Sequence, residues 1–221
     1  MGQPQRAEFR HYVENWGDRA AVDSVGYRLV RAFRLEVEHE VMAPILATCV
    51  KADPRFKLRS LTQVEGPLWV LVSQQPPNLL NPRYEDWDAL LLAAVDQVNG
   101  ELWQADSGLG KRIWGERNTV RIRHPLSGAL PFMAKLLDME PVRLPGDNSM
   151  PRVQGVSFGP SERLVVEPGH EERGIFEMPG GQSAWPLSPY YRNSEPAWEQ
   201  GQPTPFLPGA TQHTLEFHPR D

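Results

Sequence analysis

From Phe9 to about Cys49, apolar residues recur at three- and four-residue intervals through Val22, Gly26, Leu29, Val30, Phe33 and Val37, with charged residues between them. That period turns one face of a helix toward a core. Asp23 or Ser24 stands where an N-cap is needed, and Pro44 starts or kinks a second short helix carrying Ile45 and Leu46. Between residues 51 and 82 the run Leu68-Trp-Val-Leu-Val72 precedes a Pro-Pro-Asn turn and is too short for its period to separate helix from strand. The clearest helix runs from Asp86 to Gly100, with Trp87, Leu90, Leu91, Ala94, Val95 and Val98 on one face and Gly100 placed to end it. Farther on, Ile113-Trp-Gly, Thr119–Arg123, Arg163–Val166, Gly174–Glu177 and His213–Phe217 are short alternating or β-branched runs bounded by Gly and Pro, as antiparallel strands require. Helices before strands give an α+β class: N-terminal helices, then mainly antiparallel strands with long Pro/Gly-rich connections. We expect a single region over 1–221, helical over 9–105 and strand-rich over 110–221.

Composition sharpens this picture in three places. The 22 prolines and 18 glycines require many turns and irregular connections, while seven tryptophans argue for a folded core. A net charge of -5 and scattered Lys and Arg residues give no reason to bind nucleic acid or an anionic membrane. The single cysteine, Cys49, has no internal disulfide partner and sits in an apolar stretch, where a buried, inert thiol is expected. No run reaches the ~18 apolar residues of a membrane span, and Met1-Gly-Gln-Pro-Gln-Arg lacks the apolar centre of a signal peptide. The localisation is therefore open from the residues alone.

Several patterns invite a chemical reading. Gly155-Val-Ser157-Phe-Gly159 matches G-x-S-x-G, with Glu167 and the histidines at 170, 213 and 218 following in hydrolase order. A nucleophile elbow needs a strand before the serine and a helix after it; here Pro160 leads into the strand at Arg163, so a hairpin turn is expected. The histidines at 11, 39, 124, 170, 213 and 218 lack the i, i+4 spacing with glutamate of a helical zinc site. Glu38-His39-Glu40 reads as a solvated helix face, and His124 before Pro125 as a hydrogen-bond partner for a turn backbone. Glu85-Asp86 and Glu171-Glu172 read as capping or solvated carboxylates, and no phosphate-binding loop is present. The residues themselves nominate no catalytic group and no metal ligand.

One stretch stands apart. Gly180 to Arg192 packs two glycines, two prolines, three aromatics and an arginine into thirteen residues. Together with Trp16–Phe33, Val120–Ser127, Pro145-Gly-Asp147, Gly159–Glu167 and Trp198, taken in that order, it resembles the penicillin acylase (penicillin amidase) family of N-terminal-nucleophile hydrolases, in the distal part of the large β subunit. Ala184 replaces the family's usual glycine, Tyr190 a frequent histidine, and Asn193-Ser194 the usual Asp-Gln; alanine would be strained in a turn needing positive φ.

The resemblance implies an αββα-type fold. It also implies a mechanism in which self-processing exposes an N-terminal serine whose own amino group is the base, giving an acyl-enzyme, a carboxylic acid and a free amine. Substrates would be N-acyl amides such as the side chain of a β-lactam or an N-acyl homoserine lactone, and location would be periplasmic or secreted. Calcium is possible in the full-length enzyme, with its ligands upstream. The chain opens Met1-Gly2-Gln3 and contains no Gly-Ser, Gly-Thr or Gly-Cys bond, so the expectation is a C-terminal β-subunit portion, inactive alone. Its partners would be the remainder of the acylase or further copies of itself. The alternative is a stand-alone, non-catalytic scaffold or binding module. Under either, Arg163, Gly180, Gly181, Gln182, Ser183, Ser188, Tyr191 and Arg192 are expected to shape and fasten the backbone.

Overall fold

Ser24 opens the longest helix of the computed structural model, which describes residues 3–57, 61, 63–159 and 162–219. The Ser24 hydroxyl accepts the Tyr27 amide at 3.0 Å, satisfying one of the donors a helix start leaves open. The chain forms two units, Met1–Asn118 and Thr119–Asp221.

The first unit is helical. Helix α1 spans Gln3–Glu14, α2 Val25–Ala52, α3 Glu65–Gln74 and α4 Trp87–Leu102, and α5 is one turn at Trp114–Arg117. The expected continuous pattern from Phe9 is interrupted at Asn15–Ser24, where Gly17 and Asp18 take positive φ of 77° and 53°. The chain then folds α1 back on α2 so closely that a Cβ at Gly26 would lie 2.2 Å from the Tyr12 carbonyl oxygen. Gly26 is a packing requirement at that crossing. Beside it Tyr27 stacks on Trp16 and meets Trp114 edge-on, with ring centroids 5.7 and 4.8 Å apart.

Two apolar clusters run along α2 and α4. Val37, Val41, Leu68, Trp87, Leu90 and Ala94 make one; Phe9, Val25, Leu29, Val98 and Leu109 make the other. Full burial of such side chains stabilises by about 1.5–3 kcal/mol each. The Leu68 run is helix α3, which buries only Leu68 and ends where Gln75 turns left-handed. Gly100 does not end α4; the helix passes through it to Leu102, and its start is capped by Asp86 accepting the Ala89 amide at 2.7 Å. Cys49 is exposed, contrary to expectation, because it lies beyond the part of α2 that packs.

Pro44 neither starts a helix nor ends one. It lies within α2, where its missing N–H leaves the Glu40 carbonyl without an intrahelical donor. Buried Asn81 supplies the replacement: its Nδ2 donates to the Glu40 carbonyl at 2.8 Å and to Glu40 Oε2 at 3.1 Å. Arg83 adds its guanidinium to the same carboxylate at 3.3 Å. Glu40 is therefore buried, not part of a solvated face as the run Glu38-His39-Glu40 suggested.

The second unit is mostly irregular chain pinned by two small antiparallel ladders. Strand β1 (Thr119–Val120) pairs with β2 (Val142–Arg143), and β3 (Arg163–Val165) with β4 (Ile175–Glu177), in the register Arg163↔Glu177. Short helices lie at Pro125–Ala129 (α6), Ala134–Leu137 (α7) and Glu195–Gln200 (α8). Val120, Leu144 and Trp198 form its buried centre.

The expected strand over Thr119–Arg123 stops at Val120, because the Arg121 amide goes instead to the Val156 carbonyl and the Ile122 carbonyl accepts from Met139. Ile113-Trp-Gly is the entry to α5, not a strand. At His213–Phe217 no ladder forms among the described residues, and Leu215 and Phe217 are 83% and 91% exposed. Beside β4, Thr204–Phe206 bonds to Gly174 and Phe176, and Pro205 at the bridge denies the ladder further donors. Mixed helix with small antiparallel sheets fits the α+β expectation. No helix among the described residues is long and apolar enough to cross a membrane.

Asn81→Ala should lower unfolding free energy in urea by about 2–3 kcal/mol, the cost of stranding buried acceptors. In a Pro44→Ala background residue 44 again offers an N–H to Glu40, so the loss should shrink by about 1 kcal/mol. Equal losses in both backgrounds would refute the proposed substitution of one donor for the other.

Candidate functional site

Gly180–Arg192 closes into a loop whose ends bond to each other's neighbourhood. Gly180 has φ 73°, and its carbonyl accepts the Ser194 amide at 2.8 Å. Gly181 lies so near the returning strand of the loop that a Cβ there would fall 2.0 Å from the Tyr190 carbonyl oxygen. Ser183 accepts the Trp185 amide at 3.1 Å, and Ser188 the Tyr190 amide at 3.2 Å, each a side-chain turn of the kind serine favours. Gln182 is exposed and points its amide at Met178 Sδ. The positive φ falls at Gly180, not at Ala184, so alanine carries no left-handed strain.

The loop is fastened to the end of α7. Tyr191 Oη donates to the Leu137 carbonyl at 2.8 Å, while Arg192 Nη2 donates to the Leu136 carbonyl at 3.4 Å and, more closely, to that of Asp138. These are carbonyls that a helix terminus leaves open. Arg192 also lies over the Tyr191 ring, 5.9 Å from its centroid.

A cleft of about 290 Å³ lies against this loop. Ile122, Leu137, Met139 and Pro179 give it apolar surface; Arg123, His124, Ser183, Tyr191, Arg192 and the two glycines add polar groups. Near it the structure brings Ser127, His124 and Asp138 together, a grouping no spacing in the sequence suggested. It is not a catalytic triad. His124 Nδ1 accepts the Leu126 amide at 3.1 Å to cap α6, as its position before Pro125 suggested, so its proton sits on Nε2. Asp138 Oδ1 accepts the His124 amide at 2.9 Å, and the Ser127 hydroxyl lies 2.5 Å from the same oxygen. Serine thus meets the acid directly while the imidazole faces a backbone amide. The Ser127 hydroxyl is the first cause, with the His124 amide and nearby positive charge, that holds the Asp138 carboxyl below the usual carboxylate range.

The other sequence candidates resolve differently. Ser157 is exposed in a turn closed by the Gly155 amide on the Phe158 carbonyl, with no strand before it and no helix after it among the described residues. Its glycines are packing positions: a Cβ at Gly159 would lie 2.4 Å from the Trp198 ring. Pro160 and Ser161, also part of that pattern, lie outside the described residues. Pro145-Gly-Asp147 is a turn with Gly146 at φ 97° and Asp147 accepting from Met150 and Gln154.

Arg163 joins β3 to β4 and α8 at one point. Its Nη1 donates to Glu177 Oε2 at 2.6 Å and to the Trp198 carbonyl at 2.7 Å, and its guanidinium lies 5.1 Å from the Trp198 ring centroid. In the first unit, donor atoms of Glu36, His39 and Glu40 lie within 4.8 Å of one another. Asn81 and Arg83 already engage the Glu40 carboxylate, and Arg83 supplies a positive charge beside it.

Two outcomes follow. Arg192→Ala should lower stability by about 2 kcal/mol, the loss of charged donors to helix-end carbonyls, read as a fall in thermal midpoint; an unchanged midpoint would contradict the fastening. Because Asp138 titrates below its unfolded value of about 3.9, its contribution is complete above that pH and is lost as pH falls through the lower folded value. Ser127→Ala should move the Asp138 carboxyl up toward the ordinary range in an NMR titration, and an unmoved carboxyl would refute the role of the hydroxyl.

Comparison with known proteins extends over nearly the whole chain. The Penicillin amidase family pattern matches residues 2–213. Penicillin acylase 2 proenzyme from Pseudomonas sp. (strain SE83) is 26% identical over 216 residues, covering 94% of this chain but 27% of the relative. The chain thus spans about a quarter of the length of the curated relative it matches. With both units inside one family match, the chain belongs to the penicillin amidase family.

Proposed function

We propose that this chain is the C-terminal β-subunit portion of an N-terminal-nucleophile amidohydrolase of αββα type. The complete enzyme hydrolyses a linear amide, the N-acyl side chain of a β-lactam or of an N-acyl homoserine lactone. The observation that carries the reading is the family match over residues 2–213, set against coverage of only 27% of the matching proenzyme. The nucleophilic serine, its oxyanion donors and any calcium ligands lie in the remainder of the enzyme, which is this chain's partner. Location is periplasmic or secreted.

The geometry supports a non-catalytic role for the residues in hand. Ser157 sits in an exposed turn, and Ser127 is committed to Asp138 without an imidazole base. Arg163, Gly180, Gly181, Ser183, Ser188, Tyr191 and Arg192 bond or pack against backbone. Their work is to hold the terminal segment in place.

The isolated chain should release no acid from phenylacetyl or glutaryl amides; clear turnover would refute the absence of the nucleophile. Substituted for the matching region of the strain SE83 proenzyme, it should yield a processed protein that releases acid. A soluble, processed chimera without turnover would count against the reading.

A further inference from the structure

We infer that the cleft beside the Gly180–Arg192 loop binds a small monocarboxylate carrying an apolar body. Its volume of about 290 Å³ is roughly that of ten waters in the liquid, enough for one aromatic ring with a short acidic arm. Ile122, Leu137, Met139 and Pro179 offer that body an apolar surface. The polar groups of the lining are chiefly donors, and they are donors to an anion.

Arg123 is exposed and makes no hydrogen bond among the described residues. Arg192 commits Nη2 to the Asp138 and Leu136 carbonyls, leaving Nε and Nη1 for a ligand. His124 uses Nδ1 to cap α6 and so carries a proton on Nε2. The Gly180 and Gly181 amides donate to no backbone carbonyl among the described residues, and Gly180 has the positive φ found in backbone nests that hold anions. A side chain at Gly181 would collide with the loop itself, so small residues keep this backbone open.

Among the residues that line the cleft, Arg123 and Arg192 are cations and none is a carboxylate, which favours a negatively charged ligand. The Asp138 carboxylate is already engaged by Ser127 and the His124 amide, and Arg192 bonds only the backbone carbonyl of that residue. A charged hydrogen bond from such a guanidinium to a carboxylate is stronger than a neutral one.

Binding is read without turnover, so the inference stands or falls apart from the amidase assignment. The full chain, labelled with nitrogen-15, is titrated with phenylacetate, with neutral phenylacetamide and with acetate. Phenylacetate should shift the Gly180 and Gly181 amide signals, and each of the other probes should bind about tenfold more weakly, one lacking the charge and one the body. Arg123→Gln should weaken phenylacetate by about tenfold while leaving the chain folded with a cooperative thermal transition, since the exposed side chain makes no hydrogen bond among the described residues. Shifts absent from the cleft, phenylacetamide binding as tightly as phenylacetate, or an unaltered Arg123→Gln affinity would each overturn the inference.

Discussion

A proline inside a helix removes one donor, and the structure depends on how the stranded carbonyl is answered. At Pro44 the answer comes from Asn81, forty-one residues from Glu40, which enters the core and donates to the Glu40 carbonyl. The second unit repeats this solution in place of long ladders. Arg192 and Tyr191 answer the carbonyls at the end of α7, Arg163 that of Trp198, Arg152 that of Glu199, and Gln154 those of Gly155 and Phe158. A chain with 22 prolines lacks the donors for continuous sheets, and side chains with several N–H groups make good the deficit.

That economy explains which parts of the fold were legible in the sequence. Helix α4 was readable because Trp87, Leu90, Ala94 and Val98 keep one period and Asp86 caps it locally. Ser24 was readable for the same reason. The α3 run was not, since its two possible periods share the same apolar residues and only packing of Leu68 separates them. β-branched runs alone mark a strand at Arg163 and Ile175 but not at Arg121 or His213, because a ladder also needs a neighbour with free donors. Arg121 found Val156 instead, and His213–Phe217 found no ladder among the described residues. Glu40 was misplaced on the polar face because nothing near it in sequence announces Asn81.

The candidate site divides along the same line. The Gly180–Arg192 stretch was visible by its composition and by family resemblance, yet what its residues touch was not. Tyr191 reaches Leu137 and Arg192 reaches Asp138 across fifty-four residues. Nothing in the spacing of Ser127, His124 and Asp138 foretells that they meet, nor that the imidazole turns to a backbone amide when they do. Motif order identified the family, while bonding geometry decided that these polar groups hold chain ends and line a cleft.

Fastening through carbonyl acceptors has a consequence for how the second unit exchanges with solvent. A ladder protects the amide hydrogens it uses; a guanidinium or phenol that caps a carbonyl protects none. The loop at Gly180–Arg192 is held at Leu136, Leu137 and Asp138 by side-chain donors, so its position is defined while the Gly180 and Gly181 amides take part in no backbone bond among the described residues. Hydrogen exchange reports amides alone. These two glycines are fixed in space and yet open to deuterium, and order measured by exchange at them would understate how firmly the loop is held.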